Sequence, residues 1–448
     1  MFKKILIANR GEIACRIIRA CHQLNIKTVA VYSTADRDAL FVKQADEAYC
    51  IGPAAAKDSY LNREAVLMAG VIANVDAIHP GYGFLSEDTL FAQMCGQCDI
   101  TWLGPSADLI ALMGNKAAAR KFAASRGIAI IPGTFVLNDM AQAKQAAQKI
   151  GYPLLIKASQ GGGGKGIRLA NDDHQLQSQL AIAKQEAASS FDSSAIYLEK
   201  VLPDARHIEV QIIGDQAGHI QILGDRDCTL QSRRQKVIEE SPASFIKHAQ
   251  RRELAQMVHQ LLDVCGYQGL GTIEFLFSQD RFYFLEMNTR LQVEHGVTET
   301  TTGLDIVLLQ LELASSEAKL PDYIPVNAGI AIECRLTLTA PTKINQLTQF
   351  DFPNTIRVDT GYQQGDQIPP YYDALLAKLI VSAQTRTQAI AKMKQSLENV
   401  KVNGVQNNLA QLKKIISSDW YQSNQFTVTT LDTRKSTDES TTRKGNLD

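Results

Sequence analysis

Phe284-Leu285-Glu286-Met287-Asn288-Thr289-Arg290-Leu291-Gln292-Val293-Glu294-His295 is the stretch on which the reading of this chain turns. With the two-residue period of a β-strand, Glu286, Asn288, Arg290, Gln292 and Glu294 fall on one side, and Leu285, Met287, Leu291 and Val293 on the other. A strand face that merely meets water tends to carry Lys, Thr and Ser. This one carries two carboxylates, two carboxamides and a guanidinium. The oxygens around Glu286 suit a hard cation such as Mg²⁺, and the Arg290 fork suits a planar oxyanion. We therefore expect a strand with one core face and one metal-and-anion face.

Working outward, residues 271–277 are expected to pair antiparallel with 282–294, after a long amphipathic helix over 249–265. Residues 207–213, with polar alternation, and 220–223 supply further strands. Past Pro321 the chain reads as β-rich, with strands over 329–336 and 355–358, and then a helix over 387–400. Residues 433–448 are Ser, Thr and charge with almost nothing apolar, a composition expected to be disordered.

Nearer the start, a strand over 4–8, a helix over 12–24, a strand over 28–32 and strand ends at 77–80 and 101–105 alternate in order. Strands separated by helices predict a parallel, doubly wound sheet. The Gly11-Glu12 turn lacks Gly-x-Gly-x-x-Gly, which argues against a dinucleotide site. Helices over 107–113 and 117–125 lead to a helix over 141–150, a strand over 153–158, a second strand over 167–170, a helix over 178–188 and a strand over 195–200.

Between the strands at 153–158 and 167–170 lies Gly161-Gly162-Gly163-Gly164-Lys165-Gly166. A Rossmann turn needs a helix after it, and a Walker A loop needs Ser or Thr after the Lys, where this chain has Gly166. Strand, bare-backbone tip and strand predict a flap whose amides close over phosphates. Lys157 and Lys165 supply cations beside it.

The whole chain bounds these readings. Its 448 residues exceed one hydrophobic core, so two or three domains are expected. With 46 basic against 47 acidic residues and 45% hydrophobic content, it reads as neither a disordered chain nor a nucleic-acid binder. No apolar run reaches the ~18 residues of a membrane span. The first ten residues turn polar too soon for a signal peptide and read as a first strand. Of eight cysteines only Cys95 and Cys98 are closely spaced, and without a second pair they read as small thiols in a reducing cytoplasm.

Four stretches now carry a resemblance: residues 7–14 (Ile-Ala-Asn-Arg-Gly-Glu-Ile-Ala), 79–87 (His-Pro-Gly-Tyr-Gly-Phe-Leu-Ser-Glu), 286–295, and Glu333-Cys334-Arg335. With the glycine flap, Glu199-Lys200 and His207, the chain resembles the biotin carboxylases of the ATP-grasp superfamily over residues 4 to about 424. The resemblance implies an α/β and α+β ATP-grasp fold. A doubly wound preATP-grasp domain would span 1–113, a linker and flap domain 114–202, an ATP-grasp lobe with a mixed C-terminal domain 203–432, and a tail 433–448.

It also implies a reaction: bicarbonate attacks the γ-phosphate of Mg-ATP to form carboxyphosphate, and the carboxyl group passes to N1′ of biotin on a separate carrier protein. ATP, Mg²⁺ (or Mn²⁺) and carrier-borne biotin are the implied cofactors. A biotin carboxyl carrier protein, a carboxyltransferase subunit and a second copy of the chain are the implied partners, with neither nucleic acid nor membrane. Carried over by position, Lys116, Lys157, His207, Gln231, Leu276 and the flap residues Gly161 to Gly166 resemble nucleotide contacts. Glu199 would accept from the adenine amino group, while Lys200 and Leu202 would offer backbone groups to the ring edge. Glu274, Glu286 and Asn288 resemble the metal site; Lys236, Arg290, Gln292 and Val293 the bicarbonate cradle; Glu294 the base; and Arg335 the partner of the biotin anion.

Three departures accompany the match. The family's Gln-Arg-Arg-x-Gln-Lys is here Gln231-Ser232-Arg233-Arg234-Gln235-Lys236, which bears on nucleotide affinity. His-Pro after the base is here His295-Gly296, which predicts a looser loop beside Glu294. The segment from Leu336 to Lys343 is short, which bears on acceptor recognition. These departures leave two alternatives open: an ATP-grasp ligase acting on another acid and acceptor, and a nucleotide-binding paralogue with little catalysis.

Overall fold

The computed structural model describes residues 1–137, 139–159, 167–191, 195–315, 319–320, 329–340 and 345–434. The first unit is a parallel sheet of β1 (Lys4–Ile7), β2 (Lys27–Ser33), β3 (Glu47–Gly52), β4 (Ala77–His79) and β5 (Thr101–Trp102), ordered β3-β2-β1-β4-β5. Alternation along β1 decides its two layers. Ile5 and Ile7 pack with Ile13 and Ile17 of α1 (Gly11–Gln23), whereas Leu6 packs with Val66 and Leu67 on the other side. The expected doubly wound sheet is present.

Helices α2 (Leu40–Gln44), α3 (Arg63–Ala73) and α4 (Thr89–Gln97) complete that unit, and α5 (Ala107–Gly114) and α6 (Lys116–Ser125) leave it. Asn115 stands between the last two and caps α6, its Oδ1 accepting from Ala118 N at 3.1 Å. That cap puts Lys116 on the first residue of α6.

A three-stranded sheet follows, β7-β6-β8, from β6 (Leu154–Ala158), β7 (Ile167–Ala170) and β8 (Ile196–Lys200). One face packs Leu154, Ile156, Ile196 and Leu198 against α7 (Met140–Ile150) and α8 (Asp173–Phe191). The alternate residues Lys157 and Glu199 turn the other way. The hairpin of β6 and β7 runs in register from Leu154↔Ala170 to Lys157↔Ile167. Its glycine tip, including Gly161 to Gly166, lies outside the described residues.

The largest sheet is antiparallel, ordered β13-β12-β9-β10-β11-β14-β19-β17. It contains β9 (Arg206–Gly214), β10 (Ile220–Ser232), β11 (Gln235–Ser241), β12 (Gly269–Ser278), β13 (Arg281–Asn288) and β14 (Ile330–Thr337). Beyond β14 come β15 (Asn345–Gln346), β16 (Gln349–Asp351), β17 (Arg357–Thr360), β18 (Gln367–Ile368), β19 (Leu375–Ala383) and β20 (Lys401–Asn403), of which β17 and β19 join the sheet. The helix α9 (His248–Leu262) covers the β9–β12–β13 end through Leu254, Val258 and Leu261.

Four expectations are corrected here. The strand expected over 220–223 continues to Ser232, and β11 was not foreseen, because Asp225, Arg226, Asp227, Thr229 and Gln231 blur the apolar period. The strand expected to run to Glu294 stops at Asn288. A bulge at Leu285 separates the pairs Glu274↔Glu286 and Phe275↔Phe284, so Phe282, Phe284 and Met287 share one core despite opposite parity. Leu291 packs instead into the core beneath α1. Lastly, the residues after Glu294 form no loose loop: α10 (His295–Thr302) begins there, followed by α11 (Ile306–Ser315).

The chain's end also differs. Residues 430–434 make a helical turn that seats Leu431 in the C-terminal core, and residues 435–448 lie outside the described residues. Among the described residues no helix is long and apolar enough to cross a membrane.

Candidate active site

Neighbouring strands of the large sheet place a row of charges on one face. Glu286 of β13 pairs across to Glu274 of β12, Glu274 to Glu209 of β9, and Glu209 to Arg226 of β10. Carboxylates side by side repel unless cations separate them. Lys236 of β11 does this: its Nζ contacts Glu209, lies 3.2 Å from Glu274 Oε1, and lies 2.6 Å from Glu294 Oε1. Burial disfavours the ammonium, but those three carboxylates outweigh burial and hold the Lys236 pKa well above its ordinary value.

Glu294 is fully buried and stands at the N-cap of α10. One carboxylate oxygen accepts from Lys236, and the other from Arg335 Nη2 at 2.9 Å. Arg335 extends from β14 and also donates through Nε to Glu239 Oε1 at 2.6 Å. Burial pushes the Glu294 carboxyl up, yet Lys236, Arg335 and Arg226 outweigh it and hold the pKa below the ordinary carboxylate value. At neutral pH Glu294 is an ionised acceptor between two cations.

Arg290 is braced beside it. Its Nε donates to Glu87 Oε2 at 2.9 Å, Nη2 to Asn288 Oδ1 at 2.7 Å, and Nη1 to Gln292 Oε1 at 3.2 Å. Gln292 in turn donates to Glu274 Oε1 at 2.9 Å. Val293 contributes its main-chain oxygen, which accepts from Lys378 Nζ at 2.8 Å.

The residues expected to contact a nucleotide lie beside this row. Lys116 contacts Glu286; Lys157 contacts Glu199; His207 Nε2 lies 2.9 Å from Glu274 Oε2. Gln231 Nε2 lies 2.9 Å from His207 Nδ1, and Leu276 stands opposite His207 in the sheet register. Leu202 follows β8. The Glu199 side chain, 1% exposed, pairs with Arg120 Nη1 through Oε1 at 2.6 Å and with Lys157 through Oε2. The Lys200 amide already donates to Pro132 O at 2.7 Å, which leaves only its carbonyl for a ring edge.

A divalent cation fits the donor set. Glu274 and Glu286 face each other across β12 and β13, and Asn288 lies two residues on along the same face, which gives hard oxygen donors of the kind Mg²⁺ and Mn²⁺ take. His207, Glu209 and Glu274 also bring ligand atoms within 4.8 Å of one another. Burial pulls His207 down, but Glu274 and Glu209 lift its pKa to about 9.

The arrangement defines a class: an ATP-grasp enzyme that activates an anion beside a metal-nucleotide site. The family models for the biotin carboxylase N-terminal domain, the carbamoyl-phosphate synthase L chain ATP-binding domain and the biotin carboxylase C-terminal domain match residues 1–110, 115–322 and 333–433. Biotin carboxylase 1 of Bacillus subtilis is 43% identical over 444 residues, covering 97% of this chain and 99% of that protein. The Haemophilus influenzae biotin carboxylase is 44% identical, covering 94% and 96%. The biotin carboxylase domain dimer of Hydrogenobacter thermophilus 2-oxoglutarate carboxylase, solved with MgADP, ADP and bicarbonate, superposes with a TM-score of 0.93 at 40% identity over 97% of this chain and 98% of that one. The chain belongs to the biotin carboxylase family, and it is an ATP-dependent ligase.

Several residues in the site were not read from the sequence. Glu209 was legible as the partner of His207 on one strand face, since polar residues at 207, 209 and 211 alternate with Ile208, Val210 and Ile212. Glu239, Arg226 and Lys378 had no local signal, because their strands carried too many polar residues or were not foreseen. Arg233 and Arg234 form the two-residue turn between β10 and β11, both with positive φ (50° and 65°), a pattern of hairpin turns that favours Asn and Gly. Arg234 reaches Ile167 O at 3.3 Å, tying that turn to β7.

Gly296 is packed tightly. A Cβ there would lie 2.4 Å from Ile380 Cδ1, so this chain pairs the missing proline with a close approach of β19. Gly296→Ala is expected to change stability by less than about 1 kcal/mol, because the obstructing atom is the mobile end of the Ile380 side chain and Ala is favoured over Gly within a helix. Urea denaturation checks this; a loss well beyond that range would show that Ile380 cannot give way.

Proposed function

We propose that this chain catalyses the ATP-dependent carboxylation of biotin held on a separate carrier protein. Glu294 takes the proton of bicarbonate, the freed oxyanion attacks the γ-phosphorus of ATP, and ADP leaves as carboxyphosphate forms. N1′ of biotin, its proton taken by the departing phosphate, then bonds the carboxyl carbon as the C–O bond of carboxyphosphate breaks and inorganic phosphate leaves. The observation that supports this best is the buried Glu294 carboxylate held between Lys236 and Arg335. A carboxylate so placed can accept a proton, and once neutral it leaves the two flanking cations to pair with the oxyanion that forms.

Lys236, Arg290 and Gln292 would cradle the bicarbonate, and Arg335, linked to the base, would balance the enolate-like biotin anion. Bound at Glu274 and Glu286, Mg²⁺ would neutralise phosphate charge as ADP departs. Lys116, Lys157 and His207 would hold the phosphates. The separate parallel, three-stranded and eight-stranded sheets support dividing the chain near 113 and 202. A carrier protein, a carboxyltransferase subunit and a homodimer complete the reading. The dimer is supported by the relative solved as one.

The test is ADP release with ATP, Mg²⁺ and bicarbonate, with and without free biotin. Release that depends on bicarbonate and rises with biotin is expected; tight ATP binding without such turnover overturns the reading. A pH prediction follows from Lys116. Burial and the neighbouring Lys157 lower its pKa to about 8 against the pull of Glu274, Glu199 and Glu87. Its charge is present below that value and lost above it. KM for ATP is therefore expected to rise between pH 7 and 9.5, and a flat KM over that range would remove Lys116 from phosphate binding.

A further inference from the structure

Lys378 sits in β19, fully buried, directly across the sheet register from Arg335 on one side and Asp359 on the other. Its Nζ lies 3.0 Å from Glu12 Oε1 at the start of α1 and 3.7 Å from Asp359 Oδ2. Burying an ammonium costs several kcal/mol, on the order that two facing carboxylates can meet. Charge balance does not require its remaining contact, a 2.8 Å hydrogen bond to the main-chain oxygen of Val293.

That oxygen belongs to a turn without a ladder. The strand before it has ended at Asn288 and the helix after it starts at His295. The main-chain bonds near it are long: His295 N to Gln292 O and Val297 N to Glu294 O, each 3.3 Å. The peptide bond is planar, so holding the Val293 carbonyl orients the whole Val293–Glu294 peptide and the direction in which the Glu294 side chain leaves it. Tyr82, whose hydroxyl donates to Glu12, extends the same chain of contacts to the residues after β4.

We propose that Lys378 is a positioning residue for the base: through the Val293 carbonyl it sets Glu294 against bicarbonate, while Glu12 serves as its counter-ion. The inference rests on Glu294 acting on bicarbonate as proposed above. A displacement near 1 Å at a reacting group can cost about 100-fold. Loss of the tie should therefore lower kcat/KM for bicarbonate by roughly 10- to 100-fold while KM for ATP changes by less than about twofold, since uniform nucleotide binding is untouched.

The experiment compares full-length wild type, Lys378→Met, Glu12→Gln and the double variant Lys378→Met/Glu12→Gln, by thermal unfolding and by ADP release against bicarbonate and against ATP. The double variant relieves Glu12 of its unpaired charge. It is expected to unfold near the wild-type temperature and still show the bicarbonate defect. Glu12→Gln alone keeps the Val293 bond and should keep wild-type bicarbonate kinetics. Wild-type bicarbonate kinetics in the double variant overturn the proposal, as does an equal defect in Glu12→Gln alone. Failure of both Met-containing chains to fold also overturns it, because Lys378 would then belong to the fold rather than to the turn. Absence of bicarbonate-dependent turnover in wild type would instead sink the functional reading on which the inference rests.

Discussion

Glu294→Gln is expected to lower bicarbonate-dependent ADP release by about 100- to 10,000-fold, the range ascribed to a positioned general base, while the chain stays folded and binds ATP. The substitution is close in shape, and its cations keep other partners: Lys236 retains Glu209 and Glu274, and Arg335 retains Glu239. What disappears is the capacity to take a proton. Steady-state ADP release with isotopic or calorimetric ATP binding on the same sample separates the two effects. Turnover within tenfold of wild type would move the base elsewhere in the row.

The same variant carries a stability prediction. Glu209, Glu274 and Glu294 all sit below their ordinary 4.5, because Lys236 and neighbouring cations outweigh the upward push of burial. Depressed carboxylates contribute stability that is fully present above the ordinary pKa and lost as pH falls through the lower folded values. Acid unfolding should therefore set in below pH 4.5, with a shallower pH dependence in Glu294→Gln than in wild type.

Lys236→Met is expected to be the most damaging single change to the fold of the site. Removing one partner of a buried ion pair costs about 3–5 kcal/mol because an uncompensated charge remains, and here three carboxylates face the vacated position. Adding Glu209→Gln should recover part of that loss in urea denaturation without recovering turnover, since the cation proposed to hold bicarbonate is still absent. Recovery of turnover along with stability would make Lys236 a structural counter-ion only.

Much of this was legible before folding. Strand alternation near Glu286 exposed the metal-and-anion face, and the helix–strand order near the N-terminus predicted the parallel sheet that the structure contains. Where the reading failed, the cause was identifiable. A single bulge at Leu285 shifted the parity of β13, and the strand ended at Asn288 where alternation suggested that it run to Glu294. The looseness expected at Gly296 did not arise because Ile380 packs against it, a contact between residues far apart in the chain. The pairing of Glu199 with Arg120, 79 positions away, left no trace in the local sequence.

The residue types, their local alternation and the motifs that carry the resemblance were determined by the sequence alone, because they depend on neighbours one to four positions away. The electrostatic state of Glu294 was decided by the tertiary structure. Glu294 meets Lys236 across 58 positions and Arg335 across 41, and its own turn is held by Lys378, 85 positions from Val293. A carboxylate buried without those cations would hold its proton, whereas with them it is ionised and free to accept one. That difference depends on distances of 3 Å or less, which only the folded chain sets.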